Sequence, residues 1–161
     1  MDTVKKFLNN FEEFLVVPLV GVMTAVIILQ VIFRFILKAS LPWSEELARY
    51  LMVWLTFVGA SIGVKWGSHI GVEALVIVLP KNVQTIVKYL GIILAIIFCV
   101  VVFSASLGIL QNQIVNRQVS PAMRIPMWWA YAAVPFGTFL MAVRFIQELL
   151  KYKDLNAKAR G

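Results

Sequence analysis

Two adjacent carboxylates, Glu45 and Glu46, stand in the stretch Leu41-Pro42-Trp43-Ser44-Glu45-Glu46-Leu47-Ala48-Arg49, at the start of an apolar run. Paired carboxylates are the side chains of acid–base work and of hard-cation binding. Neighbouring residues on a helix point about 100° apart, however, and no third acid is near in sequence, so a shared proton or cation does not fit. The chemistry left to the pair is electrostatic. They would favour the positive end of a helix, form an ion pair with Arg34 or Arg49, or offer a polar contact to another subunit. His69 and Glu73, four residues apart, could face one side of a helix as metal ligands do, but two ligands do not make a zinc site and the chain has one histidine. An interfacial polar cluster is the better reading. Cys99, the single cysteine, lies in an apolar run and reads as a packing residue. There is no phosphate loop, nucleophile–base set, metal cluster or dinucleotide fingerprint. Neither an enzyme activity nor a cofactor is expected.

The elements that must position these side chains are membrane helices. Of 161 residues, 61% are hydrophobic and 14% charged, against roughly half and a quarter in a soluble domain. A water-soluble chain of this size could not hide so much apolar surface, so membrane lipids are its expected surroundings. The net charge of +7 sits mostly at the ends of apolar runs, not in one dense patch, which excludes a nucleic-acid partner. A spanning helix needs about 20 residues. The first span is expected at about 14–37, after a short amphipathic lead-in over residues 2–13 that does not read as a cleaved signal. The second is expected at about 44–66, with Ser44 as N-cap and Glu45, Glu46 and Arg49 in its outer turns. Residues 70–79 are too few to span and predict a short amphipathic helix in the interface. The third span is expected at about 86–111. The fourth, about 127–150, should be kinked by Pro135, with Arg144 reaching the headgroups and the tail from Lys151 fraying. The expected fold is all-α, one integral membrane domain over 1–161: a bundle of four transmembrane helices plus the interfacial one.

Ten of the fifteen lysines and arginines fall on the side of the two termini. This places both termini in the cytoplasm. Gly59, Gly63, Gly67 and Gly71 recur every four residues, a spacing that lets helix backbones approach closely in lipid. Packing within the chain is the favoured reading over contact with another chain. Trp43, Trp66, Trp128 and Trp129 suit an aromatic belt, whereas Trp54 lies deeper and suits packing. The second outer loop, Ser120-Pro121-Ala122-Met123-Arg124-Ile125-Pro126, is stiffened by two prolines and suits docking a protein or setting the angle of the fourth span. No span carries an acidic residue near its centre, and Gln30 is the main polar exception. The chain therefore lacks machinery for coupled transport by itself. An independent small homo-oligomeric transporter or channel stays open as an alternative.

In length, in its four spans and in three local patterns the chain resembles the small membrane subunit, the Q or DctQ-type subunit, of the tripartite ATP-independent periplasmic (TRAP) transporters of bacteria and archaea. The patterns are Trp43-Ser44-Glu45-Glu46-Leu47-Ala48-Arg49 entering the second span, Gly59-x-x-x-Gly63 leading to His69 and Glu73, and Ser120 to Pro126 followed by Tyr131 and Pro135. The resemblance implies two partners. One is a large membrane subunit that carries the substrate and sodium sites and moves as an elevator. The other is a periplasmic substrate-binding protein that delivers an organic anion, such as sialic acid or a C4-dicarboxylate. The small subunit would enlarge the static scaffold in the cytoplasmic membrane and help dock the soluble protein. On that reading Arg34, Trp43, Glu45, Glu46 and Arg49 form a partner interface or structural ion pair, Gly59, Gly63 and Gly67 pack helices, and Ser120, Pro121 and Arg124 mark the outer loop.

Overall fold

The computed structural model describes residues 2–66 and 80–158. Its long helices are α1 (Asp2–Phe35), α2 (Pro42–Lys65), α3 (Lys81–Val115) and α5 (Ala133–Lys158), with one short turn of helix, α4 (Trp128–Tyr131), before the last. Four segments are long and apolar enough to cross a membrane: Phe11–Phe35, Pro42–Lys65, Val83–Val115 and Trp128–Tyr152. The interfacial helix expected at 70–79, together with Gly67, His69, Gly71 and Glu73, lies outside the described residues.

Successive spans run in opposite directions along the chain and pack as an open row in the order α1, α2, α5, α3, in which the two inner helices are parallel. Residues 36–41 and 116–127 sit at one end, called here the loop end, and both termini point to the other, the terminal end. Most of the buried residues lie on the two inner helices, α2 and α5. Val64 of α2 meets Ile92 and Cys99 of α3 and Phe145 of α5 in one small core. The flanks of the row are apolar and exposed, with Phe14, Val17, Phe98 and Val101 uncovered. Lipid or another protein, not water, is the solvent such surfaces need.

Several local expectations are corrected. The lead-in over 2–13 is the first part of one continuous helix that runs through Pro18. The second span does not start at Ser44. Pro42 occupies the first helical turn, where its missing N–H is no loss. Ser44 is fully buried, and its hydroxyl donates back to the Leu41 carbonyl at 2.8 Å. In the fourth span Pro135 offers no N–H to the carbonyl of Tyr131, four residues earlier, and the helix is interrupted at the single residue Ala132, whose backbone keeps helical angles of φ −62° and ψ −22°. The tail does not fray at Lys151, because α5 continues to Lys158.

The small-residue stripe also behaves differently from the expectation. A Cβ added to Gly59 or Gly63 would meet nothing within 4 Å, so among the described residues neither glycine packs against another helix. The tight contact lies elsewhere. At Gly137 of α5 an added Cβ would stand 2.4 Å from Phe57 Cβ and 2.8 Å from the Phe57 backbone carbon. This glycine lets α5 lie against α2, the central contact of the row.

Arg144 is not a headgroup-seeking side chain. It is buried, and its guanidinium grips Glu12 with two parallel bonds, Nε to Oε1 at 2.7 Å and Nη2 to Oε2 at 2.5 Å. Its Nη1 donates to Gln147 Oε1 at 2.9 Å. Beside it Lys65 pairs with Glu13 at 2.7 Å. Two ion pairs thus tie α1 to both inner helices at the terminal end.

Candidate functional site at the loop end

The loop end is built around Glu46. Glu46 sits one turn into α2 and is 8% exposed. Its neighbours are set by the segment between α3 and α4. There Val119 and Pro126 form an isolated antiparallel bridge. The Ser120 N–H donates to the Ile125 carbonyl at 2.8 Å, and the Met127 N–H donates to the Gln118 carbonyl at 2.9 Å. This closes residues 120–125 into a small turn whose N–H groups at Ala122 and Met123 point inward.

Those two N–H groups donate to Glu46 Oε2 at 2.8 and 3.0 Å. The other carboxylate oxygen accepts from the Tyr50 hydroxyl, one helical turn further along α2, which also touches Met127 Sδ at 3.2 Å. The carboxylate is therefore surrounded by donors, the arrangement that stabilises a buried negative charge. Ser120 is fully buried beside it, its hydroxyl next to the Glu46 carboxylate and the Tyr50 hydroxyl. Two stretches more than seventy residues apart, Trp43–Arg49 and Ser120–Pro126, become one unit through this side chain.

The remaining residues of interest take other places. Glu45 is exposed and accepts from Gln30 Nε2 of α1 at 3.1 Å. The expected ion pair of Glu45 or Glu46 with Arg34 or Arg49 is absent among the described residues, because loop N–H groups and the Gln30 amide have taken the carboxylates. Arg34, Arg49 and Trp43 are exposed. Glu45, Glu46 and Arg49 line an open groove of about 530 Å³ with Pro121, Ala122 and Tyr131. Arg124 is exposed on the turn, in a left-handed backbone conformation with φ 57°. Below the turn, Trp54 Nε1 donates to the Trp129 carbonyl at 3.1 Å, and its ring packs against Trp129 and Phe136.

On the opposite side of α2 runs a second groove of about 560 Å³, lined by Leu15 and Leu19 of α1, Leu51 and Val58 of α2, and Trp129 and Phe136.

Reading the sequence alone misses three features. Tyr50 could have been found, since it lies four residues after Glu46 and so on the same helix face. The Glu12–Arg144 pair also carried a signal: a charge inside an apolar run needs a partner at its own depth, and Glu12 is at the same end. Gly137 carried none, because nothing in a lone glycine marks which helix approaches it.

Comparison with known proteins places this geometry. The family model for tripartite ATP-independent periplasmic transporters, DctQ component, matches residues 23–152. A sialic acid TRAP transporter small permease protein, SiaQ, of Vibrio cholerae is 28% identical over 158 residues, covering 96% of this chain and 88% of the relative. A C4-dicarboxylate TRAP transporter small permease protein, DctQ, of Rhodobacter capsulatus is 31% identical over 108 residues, 67% of this chain and 48% of the relative. An isethionate TRAP transporter permease protein, DctMQ, of Oleidesulfovibrio alaskensis is 29% identical over 147 residues, 87% of this chain but only 23% of that longer protein.

Proposed function

Because this chain belongs to the DctQ family of TRAP transporter components, a multi-pass protein of the bacterial inner membrane, we propose that it is the non-catalytic scaffold of a tripartite uptake system. In this reading it holds the static part of a large elevator-type membrane subunit and helps dock a periplasmic substrate-binding protein that delivers an organic anion. The driving force is an ion gradient, with sodium as the coupling ion. The observation that carries the scaffold role is the open row of four helices. Among the described residues, such a row exposes long apolar faces and an apolar groove along α2. Exposed apolar surface of this extent belongs against another membrane protein as well as lipid. The match to under a quarter of one much longer permease chain supports a large membrane partner.

Met52, Thr56, Gly59 and Gly63 share one face of α2. The two glycines meet no other helix among the described residues, so this face suits close approach by a helix of the large subunit. Glu45 and Arg49 extend the same face at the loop end. The bias of lysine and arginine toward the terminal end supports cytoplasmic termini and a periplasmic loop end. A reporter fused after Gln118 should therefore be active only when it is of the type that needs the periplasm. Activity of a cytoplasmic-type reporter there would invert the orientation.

Purification of the tagged chain in mild detergent tests the main reading. A large, very hydrophobic protein should accompany it, and liposomes holding this chain alone should show no uptake. Uptake by the chain alone would support the independent-transporter alternative instead. Within the site, Glu46→Ala should matter more than Glu45→Ala. It strands two turn N–H groups and the Tyr50 hydroxyl, a loss of about 1–3 kcal/mol for buried groups left unpaired. Complex yield and uptake should fall in both and fall further in Glu46→Ala. Wild-type yield and uptake in Glu46→Ala would remove Glu46 from the interface.

A further inference from the structure

We propose that the loop end is a cationic docking surface for the acidic face of a soluble protein, with Arg117 and Arg124 as its forward contacts. The inference deepens the docking role above and rests on the loop end facing the periplasm.

Charge is the first ground. Five cations stand at this end: Arg34, Lys38, Arg49, Arg117 and Arg124. All five are exposed, and none makes an ion pair among the described residues. The acids that could neutralise them are engaged. Glu46 is buried under the turn, and Glu45 accepts from Gln30. The exposed surface is thus strongly positive on the side where membrane proteins tend to carry fewer lysines and arginines.

Backbone conformation is the second. Among the described residues, the non-glycine positions with positive φ are Lys38, Arg117 and Arg124, at 50°, 47° and 57°. This conformation is the province of glycine and, less often, of asparagine. Here each such position carries a long basic side chain instead. The chain thus accepts a strained backbone at three points and gains an exposed cation at each.

Position and stiffness bear on what the surface meets. The apolar segment of α3 ends with the helix at Val115, and Arg117 and Arg124 stand in the segment beyond it. The turn that bears Arg124 is pinned by Glu46 through the Met123 N–H, so little freedom is lost when a partner settles on it. Arg49 shares a groove with Pro121 and Ala122 of that turn, which carries the positive surface onto α2.

The test uses the membrane complex in nanodiscs and the soluble substrate-binding component of the same transporter. Binding is followed as salt rises from about 50 to about 500 mM, a range over which screening becomes severe. The wild-type complex should bind more weakly as salt increases. Arg117→Glu with Arg124→Glu should lower affinity on the order of tenfold or more, mainly through the association rate, and flatten the salt response. Arg117→Gly with Arg124→Gly keeps the left-handed backbone available and should move binding in the same direction by less. Wild-type affinity and salt response in the charge-reversal variant overturn the surface. So does an effect confined to vesicles with anionic headgroups, which would make these arginines lipid contacts. Failure of the wild-type complex to bind the soluble component at any salt is a different result, and it overturns the docking role itself.

Discussion

Glu12→Ala is expected to lower the stability of the folded chain by about 3–5 kcal/mol, the usual consequence of removing one partner from a buried ion pair. Glu12 is 1% exposed and Arg144 8%, so the guanidinium left behind has no water to turn to. Gln147 accepts from its Nη1 at 2.9 Å. The loss should show as a lower unfolding midpoint in mixed detergent micelles and as looser attachment of α1, which otherwise packs on α2 alone. The pair itself need not be a net gain. Desolvating two charges offsets most of their attraction, so Glu12→Leu combined with Arg144→Met should recover to within about 1–2 kcal/mol of the original chain. A double-mutant cycle separates these terms. A Glu12→Ala chain within about 1 kcal/mol of wild type would show that the pair carries no structural load.

Gly137→Val should be at least as damaging to the centre of the row. Its first added carbon would lie 2.4 Å from Phe57 Cβ and 2.9 Å from the Phe57 carbonyl oxygen. Backbone cannot rotate away as a flexible side chain does, so α5 and α2 must separate. Overpacking of this kind costs about 1–3 kcal/mol and more when helices move as units. Gly137→Ala should already destabilise. Gly59→Ala and Gly63→Ala provide the contrast: their added methyl meets nothing within 4 Å. In the isolated chain they should be neutral or gain up to about 1 kcal/mol of helix propensity. Equal stability of Gly137→Ala and Gly59→Ala in the same micelles would refute the assignment of the close contact.

These two expectations mark where the sequence was readable. Glycines repeating every four residues along α2 suggested a packing seam within the chain, and they face away from it. The working seam is a single glycine on another helix. Periodicity reports that a helix has a smooth face; it does not report what lies opposite. Arg144 was open to two readings for a similar reason. A long cation near the end of an apolar run can reach the headgroups or turn inward, and only the depth of Glu12 on a neighbouring helix decides between them.

The stretches around Glu46 and Ser120 stood out by residue type before any contact between them was known. A carboxylate pair at a helix start and a turn with two prolines are each local features. What joins them is the antiparallel course of α2 and α3, which brings both to one end, and a turn whose Ala122 and Met123 N–H groups lack partners until a carboxylate arrives.

The sequence by itself determined that this protein is all-helical and lives in a membrane. Apolar runs of spanning length leave no other way to satisfy their backbone. It also determined where the charges gather, because ionised side chains are driven to the ends of those runs. Tertiary structure alone decided that the helices stand in an open row, that Gly137 is the point of closest approach, and that Glu46 and not Glu45 binds the far loop. Each of these depends on which face of one helix meets another. That is set by the sum of many small contacts across the row, and no single stretch of sequence contains it.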